Sequence, residues 1–445
     1  MKILAGLRQR ATALIVFGIA APALFGQANN SHVIRATAYD SHFPAAAGRG
    51  ESFNGIGVAQ SGIVYYVISS PAYDVPGQMY SLNPKTGVIT HIANLNDAVG
   101  QQIKAVAQGK VHVNFIEDNG KLYFSTHLGY YAHVKGLERA SAAPNGYLPY
   151  PGGSFVSYDL ATGKFEKLAT APDGEGIIAF NMDAKRGRLY GITWPSGYFL
   201  RYDLKSATLK NLGTDFLGGE KGTIGSTYRA ICRRIVIDPR DGSAYFTTGD
   251  GVIHQYNYET DSVQAVPGVS LKKEYFGQFD PAEHGMAYNW RDALWVPEQN
   301  AIYAINGRSG YLVRFDPRVP SVEVLARLTS EAAKQLGMYG GFEYGYLGFV
   351  LGPDGHTLYY LTGTPLSSNE KAKSSGEQRY REGCDLITYD IATGVYRDHG
   401  QIELADGYPV PPGQSLAMGP DDTLYTIVHF VQNGQARIDL ISFRP

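Results

Sequence analysis

The chain repeats itself, and the repeat restricts its fold more than any other feature. Seven short runs share the same strand-like core: Ile63-Val64-Tyr65-Tyr66, Lys121-Leu122-Tyr123-Phe124, Arg188-Leu189-Tyr190-Gly191, Ala244-Tyr245-Phe246, Ala301-Ile302-Tyr303, Thr357-Leu358-Tyr359-Tyr360 and Thr423-Leu424-Tyr425. A second motif follows most of them: YSLNPKTG (80 to 87), SYDLATG (157 to 163), RYDLKSA (201 to 207), QYNYETD (255 to 261), RFDPRVP (314 to 320) and TYDIATG (388 to 394). In each, apolar and polar residues alternate before an Asp, Asn, Thr or Gly turn, which is the pattern of a hairpin. An apolar strand precedes each pair and a weaker one follows it. Four strands recurring at a spacing of roughly 40 to 60 residues describe a β-propeller.

The expected fold is therefore all-β, a single seven-bladed β-propeller of four-stranded antiparallel blades. The blades run over residues 57–95, 110–171, 176–214, 233–268, 293–330, 346–404 and 414–445. The last lacks a fourth strand, and the run His32 to Thr37 supplies it, so N- and C-terminal strands close the ring and leave no exposed edge. A closed repeat also explains how residues 29–445 form one domain despite their length. Ahead of it, residues 1–28 read as a signal peptide: Lys2, Arg8 and Arg10, then an apolar run from Ala11 to Phe25, then small residues at Gly26 and Ala28. The expected location is secreted or periplasmic, with no membrane partner once the signal is removed.

The formal net charge is −2, and losing three basic signal residues makes the rest more acidic. No basic stripe interrupts it, which argues against a nucleic-acid partner. Two cysteines, Cys232 and Cys384, fall in different, non-adjacent blades and read as buried thiols.

Chemistry is expected at one face. KVHVNFIEDNGKLYFSTH (110 to 127) reads as a hairpin turning at Asn119-Gly120, with His112 opening the first strand and His127 closing the second. Antiparallel pairing puts both imidazoles on one edge. In an up-and-down blade, first-strand entrances and second-to-third loops share a face. That face gathers His112, Tyr228, Arg229, Arg233, the His284 region, His127, Trp194, Asp250, Arg308 and His429. The two longest insertions, Leu128 to Gly153 and Gly363 to Gly383, rise from it to wall a cleft.

Histidine exchanges a proton near neutral pH, so the His112 and His127 pair is the leading catalytic candidate, against simple backbone hydrogen bonding. Tyr228, Arg229, Arg233 and Arg234 crowd the fourth blade's entrance, where arginines need either an anionic ligand or salt bridges to groups such as Glu175 or Asp250. Trp194, Tyr130 and Tyr131 stand where a sugar ring would stack, with Arg308 and Asp250 nearby. No cofactor is required by these residues. A divalent metal stays open as an alternative, with His112, His127 and His133 as ligands, although their spacing matches no tight ligand motif.

With His112, His127 and the Tyr228 to Arg233 segment in place, the chain resembles the seven-bladed propeller polysaccharide lyases, the ulvan lyase families in particular. The residues that carry the likeness are KVHVNFIEDNGKLYFSTH, YPGGSFVSYDLATGKF and the tyrosine-arginine segment. The resemblance implies β-elimination on an anionic polysaccharide or oligosaccharide by a monomer. His112 and Tyr228 would move protons, His127 would support them, and Arg229 or Arg233 would neutralise the uronate carboxylate; Tyr198 and Arg308 compete for the tyrosine and arginine roles. Two other classes remain open: a non-catalytic propeller that binds glycans or proteins, and a metal-dependent lactonase or hydrolase.

Overall fold

A computed structural model describes residues 33–43, 50–134, 137–216, 218–283, 285–335, 348–365, 382–432 and 435–445. The expected signal segment, His32, His284 and most of the Gly363 to Gly383 insertion lie outside the described residues.

Strand follows strand. After β1 (Ile34–Asp40), a four-stranded sheet comprises β2 (Glu51–Val58), β3 (Val64–Ser69), β4 (Gln78–Asn83) and β5 (Val88–Asn94). Next come β6 (Ile116–Asp118), β7 (Lys121–Ser125), a separate hairpin of β8 (Tyr131–Val134) and β9 (Leu137–Ala140), then β10 (Ser154–Asp159) and β11 (Phe165–Thr170). Strands β6, β7, β10 and β11 form the second sheet. The third holds β12 (Gly176–Asp183), β13 (Arg188–Trp194), β14 (Phe199–Asp203) and β15 (Thr208–Asn211). The fourth holds β16 (Val236–Ile237), β17 (Ala244–Thr247), β18 (Ile253–Asn257) and β19 (Ser262–Ala265), and the fifth β20 (Trp290–Val296), β21 (Ala301–Asn306), β22 (Tyr311–Asp316) and β23 (Ser321–Arg327).

The remaining strands join in one eight-stranded sheet. Its halves are β24 (Phe349–Leu351), β25 (Thr357–Pro365), β26 (Glu382–Asp390) and β27 (Tyr396–Leu404), then β28 (Ala417–Met418), β29 (Leu424–Gln432) and β30 (Gln435–Phe443) with β1. Strand β1 pairs antiparallel with β30, Thr37 opposite Ser442, which gives the last repeat its fourth strand. It also pairs parallel with β27, Ile34 opposite Ile402, a contact that the repeat pattern did not disclose. The result is a nearly all-β chain of four-stranded sheets, as in a β-propeller.

The recurring third-strand motif has a local cause. Its Asp or Asn accepts hydrogen bonds from the turn it begins: Asp159 from Ala161 and Thr162, Asp203 from Ser206, Asn257 from Glu259 and Thr260, Asp390 from Thr393. The glycine closing the turn takes positive φ, 68° at Gly163 and 71° at Gly394. Ala207 and Asp261 occupy the equivalent place at 53° and 50°, where a side chain costs about 1 kcal/mol. Between sheets, aromatic rings pack among aliphatic side chains. Phe199 stacks on Phe246 at 5.1 Å, and Tyr256 lies 5.1 Å from Tyr190 while its hydroxyl accepts from Arg188 at 2.6 Å.

Candidate functional site

In three of the sheets the first strand does not pair regularly with the second. Register slips occur between Ser52 and Ile56, Ile177 and Ala179, and Trp290 and Asp292. In the second sheet, the strand expected over VHVNFI pairs only from Ile116 onward. Before it, Val111 to Phe115 leave the sheet, and Phe115 donates instead to the carbonyl of Ile56 in the preceding sheet at 3.1 Å. Pairing resumes at Lys110 opposite His127, just as Ile231 meets Thr248 ahead of β16. Such bulges bend a strand and re-aim its side chains. Phe53, His112, Asn114, Arg233, Arg234 and Arg291 all sit in or beside these interruptions.

They converge. The rings of His112 and His127 lie 6.1 Å apart, centroid to centroid. His112 also meets Phe53 at 5.0 Å. His127 is wholly buried, boxed by Trp194 at 5.8 Å, Tyr131 at 6.1 Å and the backbone of Gly176. A methyl group at residue 176 would stand 1.9 Å from His127 Nδ1, so only glycine fits there. Among the described residues, neither nitrogen of His127 has a hydrogen-bond partner, nor does Nδ1 of His112. Burial, seconded for His112 by Arg233 and for His127 by Lys110, pushes both imidazoles well below their usual range. Both are neutral at neutral pH.

Three charged pairs frame them. The Lys110 ammonium is buried, 2.8 Å from Glu51, and lies over the rings of Phe53 at 3.9 Å and Tyr131 at 4.3 Å. Arg233 contacts Glu220 at 2.7 Å, and Glu220 also accepts from the Trp194 indole at 2.8 Å and from the amide of Ile231 at 2.9 Å. Burial alone would raise the Glu220 carboxyl, but Arg233 and these donors outweigh it and hold it below its usual value. Arg234 pairs with Asp292 at 2.6 Å and reaches Asn114, just ahead of β6, at 3.3 Å. Tyr131 donates to the Leu128 carbonyl at 2.9 Å; burial, backed by Glu138 and Glu51, raises its phenol far above the usual value.

Of the residues singled out from sequence, the fold thus brings together His112, His127, Arg233, Trp194 and Tyr131. Trp194 offers no open face for a sugar, being 1% exposed. Tyr228 is buried, packed with Leu137, Ala230 and Met286 under the Arg139 guanidinium. Arg229 pairs with Asp250 at 3.0 Å, one of the two partners weighed from sequence, whereas Glu175 binds Thr193 and the amide of Ser196. Arg308 covers Phe279 at 4.5 Å, and Tyr130 meets Tyr73 at 5.6 Å. Tyr198 is half-buried, and His429 is buried in β29. His133 lies exposed on β8, and no cluster of three or more His, Cys, Asp or Glu able to hold a metal occurs among the described residues. Both cysteines are buried free thiols, and burial pushes Cys384 up to about 12.

Sequence reasoning missed Lys110, Phe53, Glu220, Asn114 and Asp292. Lys110 carried the clearest signal, a lysine directly preceding an apolar strand run. The others act through contacts between sheets that no local pattern encodes.

No family model matches this chain, and no curated protein does. Solved structures match its fold. A structure of the mitotic checkpoint complex covers 99% of this chain and 99% of its own at 12% identity and a TM-score of 0.51. Virginiamycin B lyase from Staphylococcus aureus covers 93% and 99% at 10% identity and a TM-score of 0.51. The extracellular domain of a putative hybrid two-component system from B. thetaiotaomicron matches over 92% of this chain and 43% of that one, at 13% identity and a TM-score of 0.50. At such identities the likeness carries the fold alone, and the chain is similar to β-propeller-like proteins.

Proposed function

We propose that the protein is an exported seven-bladed propeller, its eight-stranded sheet counting as two blades, that cleaves a uronate-containing polysaccharide by β-elimination at His112, His127 and Arg233. The observation that carries the reading is the pair of buried, neutral imidazoles with unpartnered nitrogens beside a guanidinium. In the reaction the C5–H bond breaks and its proton passes to a neutral imidazole. The electron pair forms the C4–C5 double bond as the C4–O bond breaks, and the departing oxygen takes a proton. Tyr131, which keeps its phenolic proton and touches His127, is one candidate to give it, and Tyr228 is the other. Arg233 would bind the uronate carboxylate, acidifying the C5 proton, and the carboxylate in turn stabilises the imidazolium that forms. Tyr131 covers His127, so its side chain must give way when the sugar enters.

A second reading, a glycan- or protein-binding propeller without catalysis, is favoured by one fact: Arg229, Arg233 and Arg234 each already face a carboxylate within the fold. Ultraviolet absorbance during incubation with ulvan, pectate, glucuronan and glycosaminoglycans separates the two, because each elimination creates a conjugated unsaturated uronate. Absorbance should rise with one polymer and fall by about 10² to 10⁴ in rate in His112→Ala and His127→Ala. No rise with any of the four, from folded protein, favours the binding reading.

A further inference from the structure

Beside the buried pair, three loops place tyrosines on the surface. Tyr73 follows β3, and its ring meets Tyr130 at 5.6 Å and Tyr147 at 5.0 Å, both edge to face. Lys104 lies over the Tyr147 ring at 4.6 Å. The loops are tied together by backbone: Ala107 donates to the Tyr73 carbonyl at 2.8 Å, and Leu148 exchanges bonds with Lys104 and Val106 at 2.9 and 3.0 Å. All three tyrosines are half-exposed, Lys104 is exposed, and Ile103 and Leu148 beside them are 53% and 55% exposed. Patches of this kind on a rigid frame mark binding surfaces.

We infer that Tyr73, Tyr130, Tyr147 and Lys104 form a subsite for an anionic glycan chain. The ring surface that these contacts leave exposed suits the apolar face of a pyranose. None of the three hydroxyls bonds to another described residue, so they remain for sugar hydroxyls, which a purely apolar partner would leave unsatisfied. Lys104 supplies the cation for a carboxylate or sulfate. Asp74, exposed next to Tyr73, repels an acid group and so directs it to the Tyr147 end. Tyr130 adjoins Tyr131, which contacts His127, so the subsite continues into the candidate catalytic pair. Its place in catalysis rests on the lyase reading; its binding of glycan does not.

Affinity electrophoresis in gels holding ulvan, pectate, glucuronan or a glycosaminoglycan tests the binding directly, with melting curves to check folding. At least one polymer should retard the parent and the inactive His112→Ala, His127→Ala variant equally. Tyr73→Ala with Tyr147→Ala should weaken that retardation about tenfold, and Lys104→Gln should remove its salt dependence. Retardation without any elimination product would sink the lyase reading and leave the subsite standing. Equal retardation in the folded double tyrosine variant, or none by any polymer, overturns the subsite. So does a parent that self-associates in sedimentation through this patch, with the double variant monomeric.

Discussion

Lys110 and His127 exchange both backbone hydrogen bonds, each 2.8 Å, beyond the point where regular pairing of their strands has stopped. This clamp fixes His127 at the strand end while the bulge between Val111 and Phe115 frees His112 to turn toward it. One local irregularity therefore positions both imidazoles.

The fit of His127 against Gly176 gives a sharp test. Gly176→Ala should displace the ring, destabilise the protein by about 1 to 3 kcal/mol in denaturant unfolding and depress any His127-dependent activity, although no titratable group changes. Unaltered stability and activity would mean that the imidazole has room the structure does not give it.

The Lys110 ammonium depends on Glu51. Glu51→Gln should cost about 2 kcal/mol, less than breaking a fully buried pair because a third of the Glu51 side chain reaches water. Adding Lys110→Met should restore much of that loss, since Phe53 and Tyr131 would then pack on an uncharged stem. A double variant no more stable than Glu51→Gln alone would show that the ammonium is not the source of the cost.

Arg234 bridges sheets. Arg234→Leu leaves Asp292, 1% exposed, without its cation, and should cost about 3 kcal/mol. Burial already raises the Asp292 carboxyl above its usual value, so Asp292→Asn in the same chain should recover part of the loss. Thermal unfolding of the two variants decides it.

Stability should respond to pH through two opposed groups. His112 and His127, lowered from 6.5, lend full stability above that value and lose it as pH falls toward their folded values, because the unfolded chain binds more protons there. Burial raises Asp385 to about 7 and Asp439 to about 6, so their contribution is complete below 3.8 and is lost as pH rises through those values. Melting temperatures of Asp385→Asn and parent should diverge as pH climbs toward about 7, the variant gaining. A constant difference would remove Asp385 from this balance.

The repeat was legible because its signals are local: Tyr123 and Tyr190 sit in strands whose alternation and turns are written in adjacent residues, and Asp159 caps its own turn. Hairpin geometry suggested that His112 and His127 share an edge, though not the interruption that turns His112 toward its partner. What bulges and neighbouring sheets impose was not legible. Val111 to Phe115 read as strand because apolar alternation does not record a departure from pairing, and Trp194 read as a cleft residue because nothing near it in sequence announces Glu220. The three arginines showed the need for counter-charges without naming Glu220 or Asp292, whose partnership exists only once the sheets are side by side.

Strand β1 pairs with both β27 and β30, so residues 34–40 wait for partners some 360 to 400 positions later. A chain emerging from its N-terminus carries this strand unpaired until those partners are made, a bare template for other chains. Whatever shields residues 34–40 during that interval governs the yield of folded protein, and residues 435–443 act as the clasp whose arrival ends the hazard.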